Sequence, residues 1–346
     1  MPHPSRVSLL PCSTLVRSRG VVSAVSVTIA AACALASGAA SAQMTGGSGS
    51  VVRRLDEDMT TPRAMSLGGR AEAAGSSTTA LFANPAGATA IRTYHVDALT
   101  LWDPTIGRFA VGSGVMDSTR NLLSGGFSYN FSAIPDGPDA RTSHDARVVV
   151  GVNLGQMIGL GARVRYLNVS AGPSASQSQG LDRNAFSGFT FDAGLHIHPL
   201  REFSLSATGY NLNNVNSTAA PIQLGTGAML SPIRELSFVA DVLIDFRSTN
   251  AIRGVYSGGA ELFIANRYAF RAGYMFDDTR GGSQAFTLGA GYVDPNFGIE
   301  VGYRQAVVPE MQTTLMLSVR YFYQAAAQQA QAAQAQAAQA AAASAQ

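Results

Sequence analysis

Few side chains in this sequence are of a type and spacing that could do chemistry. His196 and His198 stand two residues apart, with Asp192 at the same parity. Two imidazoles and a carboxylate are a workable ligand set for a divalent metal. The pair also borders the short turn Pro199-Leu200, where interfacial solvation accounts for it without a metal. A second set is charged: Glu261, Arg271, Glu300, Arg304 and Arg320, with Arg163, Arg165, Asp241 and Asp245 elsewhere along the chain. A three-residue turn at 265–267 sets Ile264 opposite Tyr268, and therefore Glu261 opposite Arg271. Opposite charges across a strand pair are mildly stabilising, more so where water is scarce. Such a ladder is either a constriction that selects solutes or a structural network filling a narrow lumen. Its mixed signs favour the network, because a selective ring carries one sign.

No catalytic set emerges. Beyond residue 42 the imidazole bases are His95, His144, His196 and His198, and none lies in a nucleophile-elbow or zincin motif. His95 falls at the start of the first strand read below, and His144 in a surface loop. The reading is of a protein that is not an enzyme, with no cofactor.

The elements that must position these residues follow an export signal. Arg6, Arg17 and Arg19 precede a mostly apolar run from Val21 to Ala36, and Ala40-Ser41-Ala42 is an A-x-A cleavage site. Residues 1–42 therefore read as a signal peptide. A rival cut before Cys33 would make a lipoprotein, but Ala30 stands where that motif wants Leu. Both cysteines, Cys12 and Cys33, fall in this leader, so the mature chain has no disulfide or cysteine metal site. All 24 basic residues are Arg; without those of the leader, 21 face 22 acids. The mature chain is close to neutral and has no basic field for nucleic acid.

From 93 to 323 the chain alternates apolar and polar residues between turn signals, so each stretch has one face of each kind. Fourteen strands are predicted, near 93–102, 106–116, 121–132, 145–155, 157–168, 187–198, 201–212, 221–230, 233–246, 254–264, 268–276, 283–293, 296–304 and 312–323. In 188–198, Phe189, Phe191, Ala193, Leu195 and Ile197 oppose Gly188, Thr190, Asp192, Gly194, His196 and His198. Along 236–246 the polar face is interrupted by Val239 and Leu243. A soluble sandwich would turn the apolar face inward, whereas a membrane barrel turns it toward lipid. Connections after odd strands are mostly long (133–144, 169–186, 213–220, 247–253, 277–282, 305–311) and those after even strands mostly short. That sorting fits a barrel with tight periplasmic turns at one end and surface loops at the other. Tyr94 and Trp102, Tyr268 and Phe276, and Phe297 and Tyr303 are placed like interfacial girdles. The predicted fold is an all-β transmembrane antiparallel barrel of about 14 strands with an N-terminal helical, plug-like segment.

Residues 43–92 hold a Gly/Ser linker and a segment too polar and small to form its own core, so they are expected inside the barrel. A short helix through 77–83 should stop at Asn84, because Pro85 disfavours helix there, and Gly87 should free the turn into the first strand. Asn84, Pro85, Ala86 and Gly87 form either a plug corner that seals the lumen or a helix stop that only positions strand one. Residues 324–346, nearly all Ala and Gln, are a low-complexity tail.

Arg63-Ala64-Met65-Ser66-Leu67-Gly68-Gly69 followed by Ala80-Leu81-Phe82-Ala83-Asn84-Pro85-Ala86-Gly87 resembles the N-terminal region of FadL-like barrels. Gly259-Ala260-Glu261 followed by Phe270-Arg271-Ala272-Gly273-Tyr274 resembles paired strands of their PorV-like branch. The resemblance spans about residues 60–323 and implies fourteen strands with an N-terminal plug. It implies passage of small hydrophobic molecules through a plugged lumen. Its alternatives are a PorV-like barrel that binds or shuttles secreted proteins, or a sealed structural outer-membrane protein. The expected surroundings are outer-membrane lipid and the barrel assembly machinery, with both mature termini periplasmic. The chain is shorter than a typical fatty acid transporter and runs on past the terminal aromatic Tyr323.

Overall fold

In the computed structural model, the described residues are 59–119, 122–136, 140–155, 157–171, 186–215, 217, 219–246 and 252–323. The expected leader, residues 43–58 of the linker, most of loop 169–186 and the Ala/Gln tail lie outside them. Alternation from Tyr94 onward folds as a closed barrel of fourteen antiparallel strands, each paired with its neighbour in sequence and the last with the first. The first seven strands are β1 (Tyr94–Asp103), β2 (Arg108–Asp117), β3 (Leu123–Ile134), β4 (Arg141–Leu154), β5 (Ile158–Ala171), β6 (Ser187–Leu200) and β7 (Phe203–Tyr210). The rest are β8 (Gln223–Ile233), β9 (Leu236–Asp245), β10 (Arg253–Ile264), β11 (Tyr268–Asp277), β12 (Ser283–Val293), β13 (Phe297–Val308) and β14 (Gln312–Phe322). Closure leaves no open edge, so the ladders satisfy the backbone of every wall strand.

The wall sorts its side chains by parity. On β6, Thr190, Asp192 and His196 are buried inward while Phe189 and Phe191 are exposed outward. On β13, Glu300 and Arg304 are buried while Phe297, Ile299 and Val301 are exposed. The outer surface is thus an apolar belt, with Val111, Val150, Leu160, Phe238, Phe270, Leu288 and Leu317 among its members. An apolar surface continuous around a barrel marks a face that meets an apolar medium or a partner.

All fourteen predicted strands are present. Several local expectations fail, among them the turn expected at Pro199-Leu200, which lies within β6 with the turn following at 201–202. β4 begins at Arg141 rather than 145, and β3 runs to Ile134, so the loop expected at 133–144 shrinks to 135–140. His144 is consequently a strand residue, paired with Phe131 and Asn168, and its Nδ1 is 2.7 Å from the Tyr129 hydroxyl. The polar run Thr142-Ser143-His144 hid the strand from its sequence. In the same way β13 continues to Val308, shortening the loop expected at 305–311. At the turn between β10 and β11, Ala265 and Asn266 both take positive φ (52° and 53°), the mirror-turn backbone that hairpins favour. That turn sets Ile264 opposite Tyr268 and Glu261 opposite Arg271.

Candidate functional site

The candidate site is the lumen, where residues 59–92 pack on the inward faces of the wall. Thr61 caps a short helix, α1 (Pro62–Ser66), its side chain accepting the Ala64 N–H at 3.2 Å. Proline at the first helical position suits this start, since the missing N–H has no helical partner anyway. Gly68 and Gly69 follow with φ of +96° and +92°, a backbone that side chains resist. Two 3-10 turns come next, Ser77–Leu81 and Pro85–Thr89. Asn84 caps the second, its Oδ1 accepting the Ala86 N–H at 2.9 Å, while its Nδ2 donates to the Leu195 carbonyl of β6 at 2.8 Å. Pro85 therefore begins a new turn as well as ending the first. Gly87 lies within that turn at ordinary φ, not at a hinge into β1. A side chain there would strike the Gly75 backbone, so it serves close approach.

The segment is buried almost throughout, on side chains that break the polar face of the wall. Met65, Leu81, Phe82 and Ala88 join inward Leu99, Leu101, Met116, Val149 and Met316 in one apolar cluster. Val239 packs with Ala64, Leu67, Ala71 and Ala74. The exception Leu243 instead packs among wall residues Tyr210, Val255 and Met275. Elsewhere the wall yields room through glycine. A Cβ at Gly161 would collide with the Pro85 and Ala86 backbone, and one at Gly273 would lie 2.7 Å from the Leu67 carbonyl carbon. The two sequence stretches that carried the resemblance thus touch each other across the lumen.

Charged side chains complete the fit. Glu261 accepts from Arg63 through both oxygens, at 2.9 and 3.0 Å, and from Arg271 at 2.5 Å. Arg271 also pairs with Glu300 at 2.7 Å, Glu300 lies 3.5 Å from Arg320, and Arg320 pairs with Asp97 at 2.9 Å. Thr78 of the N-terminal segment donates to Asp97, so the chain of charges begins and ends on that segment. Burial works against the Arg63 charge, but Glu261 beside it outweighs this and raises the guanidinium pKa. The register Asp97↔Arg320 lies across the closing seam between β1 and β14.

On the other side Arg147 and Arg165 clamp Asp145 at 2.6 and 2.8 Å, and Arg163 pairs with Asp192 at 2.5 Å. Arg147 and Arg163 also donate to the Leu81 carbonyl at 3.2 and 3.0 Å, and Arg163 to that of Ala83 at 2.8 Å. These are carbonyls at the end of a helical turn, which need such donors when buried. Arg147 stacks over Phe82 at 4.7 Å and Arg163 over Tyr210 at 5.3 Å. Asp241 accepts the Glu72 N–H at 3.1 Å, Asp245 accepts from Gln223 at 2.9 Å, and Glu72 accepts from Thr208 and Tyr210 at 3.0 and 2.6 Å. Arg304 stands apart from the Glu261 ladder, donating to Thr314 at 3.4 Å.

The His pair and Asp192 do not form one group. The two rings lie 4.1 Å apart, but Asp192 is taken up by Arg163 and the Asn211 N–H. Among the described residues no three His, Cys, Asp or Glu side chains gather in a way that could hold a metal. Among the described residues, spaces remain in the lumen. One chamber is lined by Met59, Phe82, Leu101 and Tyr210 together with Arg70, Arg147, Arg163, Arg165 and Arg304. Another, about 350 Å³, opens beside the short turns and has Arg63, Ser77, Glu261, Arg234 and Phe322 in its wall.

With this geometry in hand, the comparison with known proteins concerns architecture. No family model and no curated protein matches the chain. Solved structures do. The CymD monoaromatic hydrocarbon channel superposes with a TM-score of 0.59 at 11% identity, over 77% of this chain and 97% of that one. A Pseudomonas aeruginosa FadL homologue gives 0.55 at 13%, over 76% and 98%. The P. putida toluene transporter TodX gives 0.55 at 12%, over 77% and 99%. The chain shares the overall barrel fold of these structures. At such identity the likeness is one of fold, and residue roles must come from this lumen.

Sequence reasoning grouped Glu261, Arg271, Glu300, Arg304 and Arg320 as one ladder, of which Glu261, Arg271, Glu300 and Arg320 are joined by ion pairs while Arg304 meets Thr314, and it named Arg163, Arg165, Asp241 and Asp245 as other wall charges. It missed Arg63, Glu72, Asp97, Asp145 and Arg147. Asp97 was within reach, since closing fourteen strands brings β1 beside β14. Arg63 and Glu72 were not, because no periodicity says where a non-strand segment meets the wall.

Proposed function

We propose that this protein is an outer-membrane channel that passes small hydrophobic molecules through a lumen plugged by its N-terminal segment. One observation carries the reading: an apolar-skinned, fourteen-strand barrel whose lumen is occupied by residues 59–92. The solved structures of like fold include a monoaromatic hydrocarbon channel and a toluene transporter, which supports a hydrophobic cargo. On this reading the belt faces lipid, the short turns and both mature termini are periplasmic, and the barrel assembly machinery inserts the chain. Asn84, Pro85, Ala86 and Gly87 act as the plug corner, held against Gly161 and Gly194. The ladder of Glu261, Arg271, Glu300 and Arg320 acts as the structural tie between plug and wall, with Arg304 lining the chamber.

The contact between the N-terminal motif and the Gly259–Glu261 and Phe270–Tyr274 strands supports a second reading, the PorV-like one. There the filled barrel serves as a platform that binds or shuttles secreted proteins. Single-channel conductance in a planar bilayer separates the two, comparing the mature chain with a form lacking residues 43–90. A silent mature protein that conducts once shortened supports gated passage. If neither form conducts although both insert, the channel reading fails and the platform or a sealed structural barrel replaces it.

A further inference from the structure

We propose that Ser77 is a nucleophile activated by His95, and that the cavity beside the short turns is a site where small carboxylic esters are cleaved. The Ser77 hydroxyl oxygen lies 2.7 Å from His95 Nε2. An imidazole within hydrogen-bond reach activates a serine hydroxyl that is otherwise too weak to attack a carbonyl. The two residues stand 18 positions apart and meet because the N-terminal segment lies against β1. No sequence motif announces such a pair.

Three further observations separate it from a simple tie between segment and wall. Ser77 has φ of +62°, a left-handed backbone that side chains resist. Strain of this kind persists only where the surroundings impose it, and it collects at functional sites. Ser77 also lines the cavity of about 350 Å³, whereas His95 is wholly buried and does not. Finally, guanidinium groups bond both chain neighbours of Ser77. Arg63 donates to the Ser76 hydroxyl at 3.2 Å and Arg320 to that of Thr78 at 3.3 Å. These bonds hold the turn on either side of the nucleophile. Both guanidinium groups line the cavity and keep carboxylate partners, so they act on a forming oxyanion through proximity.

In the reacting tautomer the imidazole proton is on Nδ1, and Nε2 accepts the Ser77 hydroxyl. Oγ bonds to the ester carbonyl carbon as its proton passes to Nε2. The ester C–O bond then breaks, and the departing alkoxide takes that proton from the imidazolium. Water attacks the acyl-serine with His95 again taking a proton, which releases the acid and restores Ser77. Asp97 lies 4.0 Å from Nε2 and is held by Arg320, while among the described residues Nδ1 meets no acceptor. The pair is thus a dyad without the orienting carboxylate of a triad, and turnover should be slow. Ile91, Phe263, Val293 and Phe322 in the wall suit an apolar acyl group. The volume is near the lower end of the roughly 300–1,000 Å³ of ligand pockets, so the ester is small. The inference does not depend on what the barrel passes.

The test is labelling of the mature, detergent-purified barrel with an alkyl fluorophosphonate, the modified residue being found by mass spectrometry. Ser77 should be phosphonylated with loss of fluoride, about tenfold or more faster than in the heat-unfolded chain. The same protein should release a burst of p-nitrophenol from p-nitrophenyl acetate, and prior labelling should remove it. His95→Gln should slow labelling by about 10²-fold. Resistance to trypsin after Arg63 checks that the segment of this variant stays seated. The proposal is overturned if Ser77 of the folded barrel is labelled no faster than in the unfolded chain, or if no burst appears. It is equally overturned if a seated His95→Gln variant is labelled at the parent rate.

Discussion

The two sides of the lumen hold the same segment by different means. Toward β10–β14 and β1 ion pairs dominate, with Arg63 and Thr78 meeting the ends of the ladder Glu261, Arg271, Glu300, Arg320 and Asp97, while the Thr287 hydroxyl bonds the Gly68 N–H and the Ser66 carbonyl and Gly273 leaves room for Leu67. Toward β4–β6 the wall reaches mainly the backbone. Arg147 and Arg163 bond the Leu81 and Ala83 carbonyls, Asn84 bonds the Leu195 carbonyl, and Gly161 and Gly194 leave the space that Pro85 fills. Ion pairs to the segment's side chains are thus concentrated on the first side, which also has glycine seats and backbone bonds. On the second side carbonyl donors and glycine seats predominate. Ion-pair contacts can exchange partners without moving backbone, whereas glycine seats and carbonyl donors fit one path of the chain.

The largest effect should come from the shared carboxylate. Glu261→Ala leaves Arg63 and Arg271 facing each other without their common partner, a loss of about 3–5 kcal/mol for breaking a buried pair. Denaturant unfolding of the detergent-purified barrel measures it. Next is Arg163→Met, which takes the guanidinium from Asp192 and the Ala83 carbonyl, leaves the Leu81 carbonyl with Arg147 alone, and should cost about 2–3 kcal/mol in the same assay. Gly161→Val tests shape alone. It places methyl groups where the Pro85 backbone runs, and overpacking of this kind costs about 1–3 kcal/mol. If the glycine seat is as described, Gly161→Val also makes the segment protease-sensitive, while Pro85→Ala in the same chain restores little. The smallest effect is expected from His144→Phe, outside the lumen, whose lost bond to Tyr129 should change stability by less than about 1 kcal/mol.

The contrast also explains which parts of the molecule were legible in its sequence. Period-two patterning and turn chemistry located all fourteen strands, and the 265–267 turn fixed the Glu261–Arg271 register. Patterning weakened where outward positions were polar, which is how His144 was assigned to a loop. The candidate site was half visible. Wall charges announce themselves by parity, so Arg271, Glu300 and Arg320 could be found. Their partners on the segment could not, because 3-10 turns of small residues have no period to read. One clue was present and its meaning unread: Val239 interrupts a polar face at the place where Leu67 and Ala71 pack. Inward glycines such as Gly161 and Gly273 carried the same message. An apolar or missing side chain on the inner face of a narrow barrel marks where something else sits.

The central claim is that residues 59–92 are held within the folded barrel by both sides of its wall. Trypsin digestion of the folded, detergent-purified protein tests it most directly, with cleavage followed after Arg63 and Arg70 by mass spectrometry. Both bonds should resist while the barrel stays folded, and should be cut rapidly once it is unfolded by heat. Cleavage after Arg63 in the folded protein at the rate of a free peptide would contradict the account.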